Sequence, residues 1–120
     1  IDVALGNVTT GAFGNNRSLL DSILEAGHGV GELIWEMPTY DEYREQYKSD
    51  IADLKNIGGR SAGSITGAMF IGEFVGDAAW VHLDIAGTAR SSKLKGWATR
   101  GATGVPVRTL IQLIQILGTD

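Results

Sequence analysis

Two stretches of this 120-residue sequence hold residue types that could do chemistry. Gly59-Arg60-Ser61-Ala62-Gly63 fits Gly-x-Ser-x-Gly, the pattern in which a serine on a sharp strand-to-helix turn becomes an exposed nucleophile. Such a turn must follow a strongly apolar strand, and Ile57-Gly58 does not complete one. In the same stretch Gly58 and Gly63 have the spacing of a phosphate loop, but the lysine that would reach the phosphates is replaced by Ser64-Ile65. A close-packed loop leading into a helix is therefore the expectation. In the second stretch His82 and Asp84 fall on one side of an alternating apolar segment, as a pair of metal ligands would. Zinc requires further protein ligands, and His28, the other histidine, follows a helix stop with no link to this segment. Buried hydrogen bonding is the expected role of the pair. Asp41-Glu42 and the pair Asp50 and Asp53 are expected to be solvated near helix ends. The residues taken alone make no complete catalytic set.

The elements that would position these groups alternate between strand and helix patterns, which indicates the α/β class. Val3-Ala4-Leu5 and Thr9 to Phe13 read as short extended pieces joined by a turn at Gly6-Asn7. Asn15 to Ser18 offer caps for a helix whose Leu19, Leu20, Ile23 and Leu24 share a face, with Gly27 as its stop. Glu32 to Met37 reads as extended up to Pro38. Thr39 to Glu42 matches a capping box opening a polar, surface-lying helix from Tyr40 to Lys48. Ile51 to Leu54 is a strand candidate. Ser61 to Val75 is helical and rich in small residues, the pairs Gly63/Gly67 and Ala68/Gly72 permitting close approach. Trp80 to Ile85 is the clearest strand, with Val81, Leu83 and Ile85 on one face and Trp80, His82 and Asp84 on the other. A loop containing glycine and lysine then runs to Gly104. Pro106 suits the first turn of a last helix, for which Leu110, Ile111, Ile114 and Leu117 are the expected buried stripe.

Composition narrows the classes further. Apolar residues make up 43% and charged residues 20%, with a net charge of −4, so no general attraction to nucleic acid or to an anionic membrane is expected. The lack of cysteine excludes disulfides, thiol nucleophiles and cysteine-held zinc, and it suits a reducing compartment. No apolar run approaches the roughly 18 residues that span a bilayer. The 17 glycines sit beside apolar segments, where tight loops and close packing use them. The opening Ile1-Asp2-Val3-Ala4-Leu5-Gly6 already reads as the inside of a domain, as expected of a segment of a longer protein.

Three stretches together resemble the leucyl aminopeptidase (cytosol aminopeptidase) family. They are Asp53-Leu54-Lys55-Asn56-Ile57-Gly58-Gly59-Arg60-Ser61-Ala62-Gly63, then Trp80-Val81-His82-Leu83-Asp84-Ile85-Ala86-Gly87-Thr88-Ala89, then Gly101-Ala102-Thr103-Gly104-Val105-Pro106-Val107-Arg108-Thr109-Leu110. Gly11 to Asn16 and Trp35 to Pro38 agree as well, so the resemblance covers essentially the whole sequence. It implies the C-terminal portion of a mixed-sheet α/β/α zinc-peptidase-like catalytic domain. The implied parent is a cytoplasmic, homohexameric metallo-exopeptidase that releases N-terminal residues such as leucine from peptides. Its two divalent metal ions, zinc or manganese, bridge the water that attacks the scissile carbonyl. The family's ligands, a lysine, three aspartates and a glutamate, lie in motifs such as Asn-Thr-Asp-Ala-Glu-Gly-Arg that do not occur here. No metal ligand or catalytic residue is therefore expected in this sequence, and the 120 residues alone are expected to be inactive. By motif position, Ala86 and Ala89 would line the pocket for the first side chain of the substrate, and Ile57 would touch the residue after the cleaved bond. A small residue at Ala89 implies a roomy first pocket. The alternative function is a stand-alone, non-catalytic interaction module that has kept the fold.

Overall fold

A mixed three-stranded sheet lies at the centre of the structure, a computed structural model that describes residues 1–94, 96 and 98–119. Its middle strand β1 (Thr10–Gly14) runs parallel to β2 (Ile34–Glu36) and antiparallel to β3 (Val81–Asp84). The α/β class and mixed sheet agree with the sequence reading. Strand alternation assigns the two faces. Val81 and Leu83 of β3 pack with Ile34 against Ile23 and Ala26 of α2 (Arg17–Val30) and Leu113 of α4 (Val107–Leu117). On the opposite face Phe13 and Trp80 join Ile65, Ala68 and Met69 of α3 (Gly63–Gly72) and Tyr47, which ends a 3-10 helix (Asp41–Tyr47). Helices thus cover both faces, and the expected split of Val81 and Leu83 from Trp80 and His82 is the split observed.

Several expectations change. Val3-Ala4-Leu5, read as extended, lies in a short helix, α1 (Asp2–Leu5), in which the Ile1 carbonyl accepts from the amides of Ala4 and Leu5. Both edges of β1 are already occupied by β2 and β3, so the segment has no ladder to join on that strand. Ile51 to Leu54 forms no strand, because the Ser49 hydroxyl accepts from the amides of Ile51 and Ala52 and curls the backbone. The Thr39 capping box is not made: Tyr40 is the N-cap of the 3-10 helix and no side chain caps it. This helix is not wholly superficial either, since Tyr47 is buried and its hydroxyl donates to Glu73, which also pairs with Arg44.

Helix α2 begins where expected, with Asn16 Oδ1 accepting from the Leu19 amide at 2.9 Å. It does not stop at Gly27. It runs to Val30 and ends on Gly31 at φ 73°, the left-handed stop. Gly27 has another purpose: a Cβ there would lie 2.6 Å from the Glu32 carbonyl oxygen and 2.7 Å from Ile34 Cδ1. It is bare so that the returning chain can lie against the helix. Of the two small-residue pairs in α3, only Ala68/Gly72 is used for close approach, Gly72 lying beneath the Trp80 ring, while Gly63 and Gly67 face open space.

The loop after β3 carries β4 (Arg90–Ser91) paired with β5 (Gly101–Ala102). Lys95 and Trp97, within the loop expected to run to Gly104, lie outside the described residues. The largest correction concerns α4. Leu110, Ile111, Ile114 and Leu117 are all exposed, and the buried residues are Thr109 and Leu113, with Ile116 half-buried against α2. The helix is apolar over more than one face, so its period alone could not choose the buried side. The choice is made by Glu32.

Candidate functional site

Strand β3 delivers the loop on which the sequence placed two pocket residues. At its end Asp84 Oδ1 accepts from the Ala86 amide at 3.1 Å, and the Ile85 carbonyl accepts from Thr88 and Ala89 at 3.0 and 2.8 Å. Residues 85–89 therefore make a single tight turn. Ala86 is exposed and Ala89 half-buried, while Thr88 points inward and is buried. Ala86 and Ala89 thus stand on one turn, three positions apart in the chain. The inward Thr88 places its Oγ1 2.7 Å from Thr10 Oγ1 at the start of β1.

Ile57 stands on a different support. It is exposed, in the irregular stretch between the 3-10 helix and α3. The neighbouring Gly59 amide donates to Gln46 Oε1 at 3.1 Å, and Gly58 packs against Gln46 and Thr66. The structure thus puts Ala86 and Ala89 on one turn and Ile57 on another loop. None of the three lines either of two surface grooves, one of about 650 Å³ beside Trp35 and Tyr40, the other of about 830 Å³ beside Thr10, Thr88 and Arg108.

The serine and phosphate readings find no support in the geometry. No strand leads directly into Ser61, and the residue with positive φ is Ala62, at 55°, rather than the serine. A nucleophile elbow strains the nucleophile itself. The amide of Gly59 is taken by Gln46, consistent with a packed loop. Asp41 pairs with Arg44 at 3.0 Å while remaining solvent-exposed, and Asp50 and Asp53 are exposed, as expected for all three.

The His82 ring neighbours two others, its centroid 5.9 Å from Phe13 and 6.2 Å from Trp80. Among the described residues no three His, Asp or Glu side chains come together as a metal group. Burial holds the His82 imidazole below its ordinary value, with the Asp84 charge opposing. The sign follows directly: once the pH falls below about 6.5, the unfolded histidine takes up a proton that the folded one resists, so stability declines. Between about pH 7.5 and pH 5.5, the urea midpoint of the protein should fall more than that of His82→Gln. Parallel declines would show that His82 does not carry the effect.

Sequence reasoning missed Glu32 and the threonines 10, 88 and 103. For Glu32 a signal existed: no Ser, Thr, Asp or Asn stands at the N-cap of α4, which is Pro106, so a cap had to come from elsewhere. The threonines carry no local signal.

Comparison with known proteins accords with this geometry. The family profile described as cytosol aminopeptidase family, catalytic domain, matches residues 1–111. A probable cytosol aminopeptidase of Alkaliphilus metalliredigens is 50% identical over 111 residues, covering 92% of this chain and 22% of that protein. One of Clostridium tetani is 53% identical over 110 residues, covering 92% and 23%. A solved tomato leucine aminopeptidase, a lysine-to-glutamate mutant, superposes with a TM-score of 0.86 at 39% identity, covering 94% of this chain and 22% of that one. The chain thus spans about a fifth of the length of these relatives. No helix among the described residues is long and apolar enough to cross a membrane. With the fold and nearly the whole length matched, the chain belongs to the cytosol aminopeptidase family.

Proposed function

We propose that this chain is part of a cytoplasmic, metal-dependent aminopeptidase that releases N-terminal residues such as leucine from peptides. Within it the segment supplies core packing, the wall of the substrate pocket and contacts of a homohexamer. The metal ions, zinc or manganese, are held by residues outside this chain. The observation that carries the reading is the turn after β3: two alanines on one tight turn tied to the central strand, in a fold shared with a leucine aminopeptidase. Ala86 and Ala89 face the substrate's first side chain, and Ile57, on its separate loop, faces the residue after the cleaved bond. Their small size leaves room for a branched apolar side chain, and their apolar surface favours it over a charged one.

The test is made on the full-length protein that carries this sequence, supplied with zinc or manganese. Hydrolysis of leucyl p-nitroanilide is expected. Substituting Ala89→Leu should lower kcat/KM for the leucyl substrate relative to the alanyl one by roughly tenfold, since a side chain of several methylenes fills the pocket. An unchanged ratio would remove Ala89 from the pocket. The absence of any aminopeptidase turnover would turn the reading toward a non-catalytic interaction module.

A further inference from the structure

The turn that carries Ala86 and Ala89 is fastened by the backbone and by residues other than the two alanine side chains. Its buried residue, Thr88, meets the hydroxyl of Thr10, which is itself buried at the start of the central strand. The carbonyl of Thr88 accepts from Thr103 Oγ1 at 2.7 Å, and that of Ala89 from the Thr103 amide at 3.0 Å. Gly87, between the alanines, is pressed against the end of α1. A Cβ on it would lie 2.0 Å from the Gly6 carbonyl oxygen and 3.2 Å from Asp2 Oδ1. Backbone cannot yield that far without moving the turn or α1. Replacing a buried hydroxyl by a methyl leaves the facing hydroxyl without its partner, and the pair separates or rotates.

We propose that Thr10, Gly87 and Thr88 are positioning residues that set how far the Ala86–Ala89 turn stands from the substrate, and so the size of N-terminal side chain accepted. The inference rests on the reading of that turn as pocket wall. None of the three residues needs to touch the substrate. They act through the two alanines, whose position follows the fastenings because a single tight turn has no slack of its own. Displacements well under an ångström suffice, because one methylene in an apolar pocket already discriminates by about tenfold or more.

In the full-length protein, Thr88→Val and Gly87→Ala are each expected to change the leucyl-to-alanyl ratio of kcat/KM by about tenfold. Thr88→Ser, which keeps the hydroxyl, should stay within about twofold of the wild-type ratio. A residue with only a structural role would lower both substrates together. If Thr88→Val does not fold, Thr10→Val and Gly87→Ala are read in the same way. Should Ala89→Leu shift the ratio while these variants leave it unchanged, the positioning role is overturned and the pocket wall stands. Should Ala89→Leu leave the ratio unchanged as well, the wall falls and the positioning role with it.

Discussion

Replacing Glu32 by alanine should remove about 1.5 to 3 kcal/mol of stability, the range for a hydrogen bond to a charged group, because Arg108 is 38% exposed and can still reach water. The Glu32 side chain is only 6% exposed. Its Oε2 accepts from the Thr109 amide at 2.9 Å and from the Thr109 hydroxyl at 2.6 Å, while Oε1 accepts from Arg108 Nε at 3.2 Å. Thr109 lies in the first turn of α4, whose amides have no partners within the helix, and the N-cap Pro106 brings no side-chain acceptor. A carboxylate from the connection between α2 and β2 therefore caps α4 and meets the positive end of its dipole. Loss of the carboxylate uncaps the helix and strips the Arg108 cation of this contact. Glu32→Gln keeps one acceptor for Thr109 and gives up the charge, so a smaller loss of roughly 1 to 2 kcal/mol is expected. Urea unfolding measures both variants. Hydrogen exchange should show the amides of α4 opening first in Glu32→Ala. Unaltered midpoints, or exchange unchanged in α4, would contradict the trans cap.

Phe13→Ala is expected to cost about 3 to 5 kcal/mol, the range for truncating a fully buried aromatic side chain. Phe13 is 0% exposed, sits on the central strand and joins Tyr47, Ile65, Ala68 and Met69 in one cluster. Its loss opens a cavity between the sheet and α3, a space that neighbours on a paired strand cannot collapse to fill. Phe13→Leu keeps most of the volume and should lose roughly 1.5 kcal/mol or less. Because Phe13 and His82 are register partners across β1 and β3, the alanine variant also lets water reach the imidazole. His82 should then titrate closer to its ordinary value, which NMR of the ring protons reads directly. A thermal midpoint near that of the wild type would mean that α3 is not held by this ring.

Both effects concern long-range contacts, and only part of that architecture was legible in the residues. Helix α2 and strand β3 were readable because each carries its own period: Leu20 and Ile23 recur at helical spacing, and Val81 and Leu83 alternate with His82. Local patterns of this kind need no partner to be recognised. The motif around Trp80 to Ala89 likewise identified the family, since a run of residues at fixed spacing is a property of the chain alone.

What surrounds the turn of Ala86 and Ala89 was decided by tertiary structure. The apolar residues of α4 cover too much of its surface for period to select a side; the bonds from Glu32 to Thr109 turn Leu113 and Ile116 toward α2 and leave Leu110, Ile111 and Ile114 outward. Gly27 reads as a helix stop by type, yet a carbonyl five residues on requires its bareness within the helix. Ile51 to Leu54 has strand composition, but the nearby Ser49 hydroxyl takes the amides a ladder would need. Thr10 and Thr88, 78 residues apart, share one hydroxyl contact that neither segment announces. Sequence period determines which elements can form. Which faces meet, which glycine is bare for a neighbour and which hydroxyls pair depend on contacts between residues far apart in the chain, and those come into being only when the elements pack.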